Sequence, residues 1–187
     1  NSAHDHDKKA VIHIAAYTQA KTMLDQGADG LVHSFIDRVA DAEFIEQAKK
    51  QHTFIVPTLS VTGSLAGADE GKKLAHDAAL QEYLTLSQST ALKASFPPQW
   101  QNPKVLDNAL ASVKLFHDAG IPLLAGTDAG NPSTAHGVSL HGELALLVKG
   151  GLSPAEALNS ATALPAKIFS LNDRGRIAIG MRADLIL

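Results

Sequence analysis

The chain contains no cysteine. Disulfides and thiolate metal sites are therefore excluded, and any metal has to be held by His, Asp or Glu. That absence leaves the cellular compartment open. No excess of one charge is present either: 16 Lys and Arg stand against 19 Asp and Glu, a net charge of −3 with no basic stripe. Nucleic acid is not an expected partner. Long apolar runs are missing, and none approaches the roughly 18 residues of a membrane span. The polar opening Asn1-Ser2-Ala3-His4-Asp5-His6-Asp7 lacks the apolar core of a signal peptide. Aromatics are few, with one Trp and two Tyr, whereas His is plentiful at nine.

What is present reads as repeated strand–helix units. A length of 187 residues allows one domain with a real core, or part of a larger one. Residues 10–15 are nearly continuous in apolar side chains, as in a strand buried on both faces. Residues 18–26 place Ala20, Met23 and Leu24 at helical spacing before Gly27, a helix stop. Gly30-Leu31-Val32 is a second short strand. Residues 42–50 form an amphipathic helix with Phe44, Ile45 and Ala48 inward and Glu43, Glu46, Lys49 and Lys50 outward. Residues 53–56 are a third strand, ended by Pro57. From 63 to 103 the pattern changes to an excursion or lid, helix-like over 72–92 with an aromatic turn at 96–100. Residues 105–119 predict a helix with Leu106, Leu110, Val113 and Phe116 on one face, and 122–127 a fourth strand. Ser153-Pro154-Ala155-Glu156 is a capping box with Pro at the first helical position, which predicts helices over 155–161 and then 165–170. Residues 175–180 and 183–187 look like two short strands around a turn.

Buried strands alternating with helices imply a parallel sheet of α/β class. Four units cannot close an eight-stranded barrel of about 250 residues. The sheet is thus either open and doubly wound or half of a barrel. The final run Ala183-Asp184-Leu185-Ile186-Leu187 reads as a strand in progress, and the chain as a whole is expected to be an incomplete fragment.

Three strand ends carry polar ligand types: His13 after Val11-Ile12, His33 after Leu31-Val32, and Asp128 after Leu123-Leu124-Ala125-Gly126-Thr127. A strand end fixes a side chain while the loop beyond stays open to substrate. Each residue alone is ordinary, since a strand-end His is commonly a core residue and a strand-end Asp commonly caps a helix. At successive ends of a parallel sheet the three meet at one mouth. Neutral imidazoles and a carboxylate there suit Zn²⁺ and similar divalent ions, which lower the pKa of bound water to about 7. His136 and His141, in the loop expected after Asp128, are placed to bind substrate or orient that aspartate; the plainer alternative is that His141 begins a helix and His136 is solvated. His4-x-His6 has chelate spacing but no strand before it and reads as a solvated end. His52, His76 and His117 read as surface or packing residues.

These residues resemble the second half of the metal-dependent amidohydrolases of the imidazolonepropionase and Xaa-Pro dipeptidase-like group. Val11-Ile12-His13 is similar to the family's fifth barrel strand and Gly27-Ala28-Asp29-Gly30-Leu31-Val32-His33-Ser34 to its sixth. Phe54-Ile55-Val56-Pro57-Thr58-Leu59 is similar to the seventh, and Ala119-Gly120-Ile121-Pro122 through Asp128-Ala129-Gly130 to the eighth. The tail motifs His141-Gly142-Glu143-Leu144, Gly151-Leu152-Ser153-Pro154-Ala155-Glu156, Ala161-Thr162, Pro165-Ala166 and Gly180-Met181-Arg182-Ala183-Asp184-Leu185 extend the likeness over nearly the whole chain.

The resemblance implies strands 5–8 of a (β/α)8 barrel over residues 1–173, with the helical insert at about 63–103. It also implies the start of a small β-sandwich over 174–187. It implies hydrolysis of an amide or related C–N bond in a small-molecule substrate, such as a cyclic amide, a dipeptide or an N-acyl amino acid. The agent is a metal-activated water, with His13, His33 and Asp128 as metal ligands and Asp128 also the proton shuttle. The family's first-strand H-x-H and fourth-strand bridging lysine would lie upstream of Asn1, so the site is expected to be incomplete within this chain. The alternative expectation is a catalytically inactive half-barrel that self-associates, or pairs with a missing half, to cover exposed strand edges. A third reading, an open-sheet binding module, requires the His13 and His33 imidazoles to stand well over about 8 Å apart, too far to share a metal.

Overall fold

Three short strands form one parallel sheet in the order β1 (Val11–His13), β2 (Gly30–Val32) and β3 (Phe54–Val56) in this computed structural model, which describes residues 2–186. Successive strands are joined by α1 (Tyr17–Asp25) and α2 (Ala42–Lys50). Parallel neighbours need such crossovers, because a tight hairpin reverses the chain direction. The register pairs Val11 with Gly30 and Gly30 with Phe54, so all three strands end at nearly the same height.

The helices follow from their apolar stripes. In α1, Ala20 and Leu24 are fully buried, and Gly27 closes the helix in the left-handed conformation while its N–H and that of Ala28 return to Leu24 and Met23. In α2, Phe44 and Ala48 point inward while the charged residues named above are exposed, and Asp41 caps the helix by accepting from the Phe44 N–H at 3.0 Å. Phe44 lies among Phe35, Tyr17 and Phe116, with ring centroids 5.0, 5.8 and 5.9 Å away. This aromatic knot joins both crossover helices to α6 (Lys104–Asp118), whose Leu106, Val113 and Phe116 are buried as predicted. Helix α8 (Pro154–Ser160) starts on the predicted capping box, with Ser153 Oγ accepting from Glu156 N–H and Glu156 Oε2 accepting from Ser153 N–H.

Several expectations need correction. The stretch 72–92 is not one helix. It breaks into α4 (Glu70–His76), a 3-10 turn (Gln81–Tyr83) and α5 (Leu86–Lys93), because Asp77 folds back on the Ala79 N–H and Thr85 with Gln88 forms a new capping box. Residues 122–127 do not form a regular strand. They run beside β3 with a single bridge, Ile55 to Leu123, held by Ile55 N–H to Pro122 and Leu124 N–H to Ile55. Gly126 is required there: a Cβ would stand 2.5 Å from Val56 Cγ1.

Residues 175–180 and 183–186 contain no strand, and Ile177, Ile179 and Ile186 are almost fully exposed. Without a neighbouring strand their backbone has nothing to ladder with. Leu187, the end of the second of those predicted strands, lies outside the described residues. His4–His6, read as a solvated end, is an exposed 3-10 turn.

Helix α3 (Leu59–Leu65) has no counterpart in the sequence reading, whereas α7 (Ser139–Lys149) is the helix that the plainer reading of His141 places there. Helix α9 (Ala163–Ile168) follows α8 and matches the second predicted tail helix to within two residues. Packing of Ala75 and Leu92 against Ala135 and Val138 holds the 63–103 insert onto the start of α7. No helix among the described residues is long and apolar enough to cross a membrane.

Candidate functional site

The two strand-end histidines sit side by side. His13 is the last residue of β1 and His33 directly follows β2, in a register that pairs His13 with Val32. Their rings meet edge-on, 4.8 Å between centroids at an interplanar angle of 84°. The wide separation required by an open-sheet binding module is not observed.

Asp128 reaches the same place from the segment beside β3. Its Oδ2 is 3.9 Å from His33 Nε2, beyond hydrogen-bonding range but well within Coulombic reach. The carboxylate is 41% exposed and the imidazole 17%, so the acid faces solvent while the ring is recessed beneath it. Asp128 itself is in the left-handed conformation, and Asn131 Nδ2 donates both to its carbonyl (2.9 Å) and to its Oδ2 (2.8 Å). The loop is anchored further by Ser133 N–H to the Ala91 carbonyl and by Ser64 Oγ to the Pro132 carbonyl.

Burial pushes the His33 pKa down; the Asp128 carboxylate opposes this and His13 adds to it. The ring is therefore neutral near neutral pH, with one nitrogen carrying a free lone pair. His33 Nδ1 is 2.6 Å from Thr58 Oγ1, and Thr58 is buried two residues past β3 in the left-handed conformation. That contact leaves Nε2 as the nitrogen turned toward Asp128.

Imidazole nitrogen and carboxylate oxygen are donor types that suit zinc and similar ions. The set is incomplete, however: no group of three His, Cys, Asp or Glu side chains stands close enough to hold a metal among the described residues. What exists is two pairs that share His33.

The remaining predicted residues lie elsewhere. His136 is exposed in the loop, its carbonyl accepting from Gln88 Nε2 at 3.1 Å. His141 is exposed on the first turn of α7, not in a loop. Neither ring makes a hydrogen bond or ion pair with His13, His33 or Asp128 among the described residues. His76 bonds the Lys72 carbonyl and His117 bonds Glu156, as packing and surface residues do.

Sequence reasoning missed Glu143. It is fully buried on α7, and its two oxygens accept from the Leu59 N–H (2.9 Å) and the Ser60 N–H (2.7 Å) at the start of α3. Burial lifts its pKa to about 7 against the pull of those hydrogen bonds. The available signal was its place on the buried side of a helix, in line with Ser139, Leu146 and Leu147.

Comparison with known proteins identifies a family and a shared fold. The sequence profile of the amidohydrolase family matches residues 1–187. An imidazolonepropionase of Deinococcus deserti is 43% identical over 70 residues, 37% of this chain and 17% of that protein. An adenine deaminase of Ligilactobacillus salivarius is 37% identical over 65 residues, 35% of this chain and 11% of the other. Among solved structures, a Xaa-Pro dipeptidase with methionine bound in its active site superposes with a TM-score of 0.69 at 22% identity, covering 97% of this chain and 39% of that one. A prolidase homologue from Bifidobacterium longum gives 0.68 at 25%, covering 97% and 41%. The chain thus spans about two fifths of these structures. With its whole length matched by the family profile and its fold shared with these structures, the chain belongs to the amidohydrolase family.

Proposed function

We propose that this chain is the second half of a (β/α)8 barrel in a metal-dependent hydrolase of amide and related C–N bonds. Residues 1–173 would be barrel, with the insert at about 63–103 shaping the substrate pocket, and 174–187 would enter a small β-sandwich. The observation that carries this reading is the convergence of His13, His33 and Asp128 from β1, β2 and the segment beside β3, with 4.8 Å between the two ring centroids and 3.9 Å from His33 Nε2 to Asp128 Oδ2. Further support is the 97% overlap of this chain with only 39% of a dipeptidase structure.

In this reading His13 and His33 hold a divalent cation, zinc by donor type, together with Asp128 and with ligands from outside the chain. Such a cation supplies Lewis-acid polarisation of a carbonyl and acidification of water. The chain's own residues do the rest. Asp128 Oδ accepts a proton from the attacking water as the C–O bond forms, then delivers it to the leaving nitrogen as the C–N bond breaks. Asn131 fixes the carboxylate for both transfers. His33 stays neutral because it is recessed, which keeps Nε2 available as a donor. His136 and His141 would contact substrate from the loop and the start of α7.

A second reading rests on the outer edge of β1, which pairs with no strand among the described residues and leaves Val11 39% exposed. Here the chain by itself is an inactive half-barrel that covers this edge by self-association or by pairing with its missing half. Metal analysis, amide turnover and light scattering on the purified chain separate the two. Stoichiometric divalent metal with amide hydrolysis supports the first; a metal-free, inactive oligomer supports the second.

A further inference from the structure

We propose that Glu143 is a positioning residue for His33: its carboxylate clamps the Leu59 and Ser60 amides so that the Thr58 hydroxyl accepts the His33 Nδ1–H and Nε2 is left bare toward Asp128. The inference deepens the functional reading above, since it treats His33 Nε2 as the working atom of the site.

The geometry forms a continuous chain. Helix α3 receives no side-chain cap from its own Thr58. Glu143 instead reaches across from α7 and bonds the first two amides of α3 with separate oxygens, at 2.9 and 2.7 Å. A glutamine has one acceptor oxygen and would leave one of these buried amides facing an NH2 group. A carboxylate satisfies both. Thr58, one residue before the clamp, is held in the left-handed conformation at φ 50°, and its carbonyl accepts from Thr62 N–H and Oγ1 at 3.2 and 3.1 Å.

The other half of the link is also fixed. Ser34, the residue after His33, donates its N–H to the Pro57 carbonyl at 3.2 Å. The His33 and Thr58 loops are thereby tied by backbone, and the 2.6 Å contact between Nδ1 and Oγ1 follows. Hydrogen bonds of this kind set which imidazole nitrogen carries the proton and orient a metal-binding histidine. The high pKa of Glu143 reflects what its position costs: a fully buried carboxyl group is retained beside two amides.

The test is imidazole ¹⁵N–¹H NMR on the 187-residue chain in chelator, at about pH 8, above the ordinary imidazole pKa. Wild-type His33 is expected as the Nδ1–H tautomer, and Thr58→Ser, which keeps the hydroxyl, retains it. Thr58→Val and Glu143→Gln both lose that single tautomer and give a mixture, while the ring signals of Phe35, Phe44 and Phe116 stay in place. An Nε2–H tautomer in the wild type overturns the proposal. So does Glu143→Gln with an unchanged tautomer, or with a tautomer change that comes only with displaced core signals. If Glu143→Gln does not fold, Glu143→Asp takes its place: its retracted carboxylate is expected to give the mixture, and an unchanged Nδ1–H tautomer overturns the proposal. Because no metal is present, the result is independent of the hydrolase reading. Should His33→Ala leave metal content of the parent protein unchanged while the tautomer results hold, the metal reading alone fails.

Discussion

Glu143 gives the chain a pH-dependent stability of unusual sign. Two effects oppose each other at this carboxyl group. Two backbone amides favour the charged form, and complete burial favours the neutral one. Burial wins, lifting the pKa from 4.5 to about 7. Between those values the folded chain retains a proton that the unfolded chain releases. The folded state then binds more protons, so its stability falls as pH rises across that window. At about 1.4 kcal/mol per pH unit the full fall is roughly 3 kcal/mol. Glu143→Gln removes the titration at this position. It also turns an NH2 group onto one buried amide, a uniform cost of about 1–3 kcal/mol. The assay is urea denaturation of wild type and Glu143→Gln at intervals from about pH 4.5 to 8. The difference between the two cancels the groups that lie outside the Glu143–Thr58–His33 link. The wild-type advantage should shrink as pH climbs. Parallel curves would mean that the amides balance burial, and an advantage that grows with pH that they outweigh it; either would refute the reasoning.

Other perturbations have equally definite outcomes. Phe44→Ala removes a ring with no exposed surface from the Tyr17–Phe35–Phe116 knot and should cost about 3–5 kcal/mol in chemical denaturation; a loss below about 1 kcal/mol would show that the knot is not a packed core. Ser153→Ala deletes the α8 cap and should cost about 1 kcal/mol by the same measurement. In the parent protein Asp128→Asn should lower kcat about 10²–10⁴-fold with metal content retained in part, because the amide cannot carry the proton. Wild-type turnover in that variant would remove Asp128 from the chemistry.

The parts of this fold that were legible are those decided locally. Helix α2 has the predicted bounds because one turn of its sequence already separates Phe44 and Ala48 from the lysines and glutamates. The α8 cap is legible because Ser153 and Glu156 satisfy each other's backbone groups without outside help. Parallel order is legible from the strand–helix alternation, and it sets the strand ends that carry His13 and His33 side by side.

What escaped is decided at long range. Helix α3, Leu-Ser-Val-Thr-Gly-Ser-Leu, has poor intrinsic propensity, with two β-branched residues and a glycine in seven; it forms because nearly every residue is buried and its first amides are capped by Glu143, more than 80 positions away. Nothing near Glu143 in sequence announces that partner. The segment 122–127 carries strand-like residues but makes one bridge, since a ladder depends on the neighbour and not on the segment itself. The break at 77–84 does carry a local signal: Thr85-x-x-Gln88 is a capping box that marks a new helix start within 72–92.

The proposed site requires His13 and His33 to serve one cation. Zinc K-edge X-ray absorption on the parent protein, in wild type and in His13→Ala and His33→Ala, tests this directly. The prediction is imidazole nitrogens at about 2.0–2.1 Å, with one lost from the coordination shell in each variant. A zinc shell unchanged by both substitutions would contradict it.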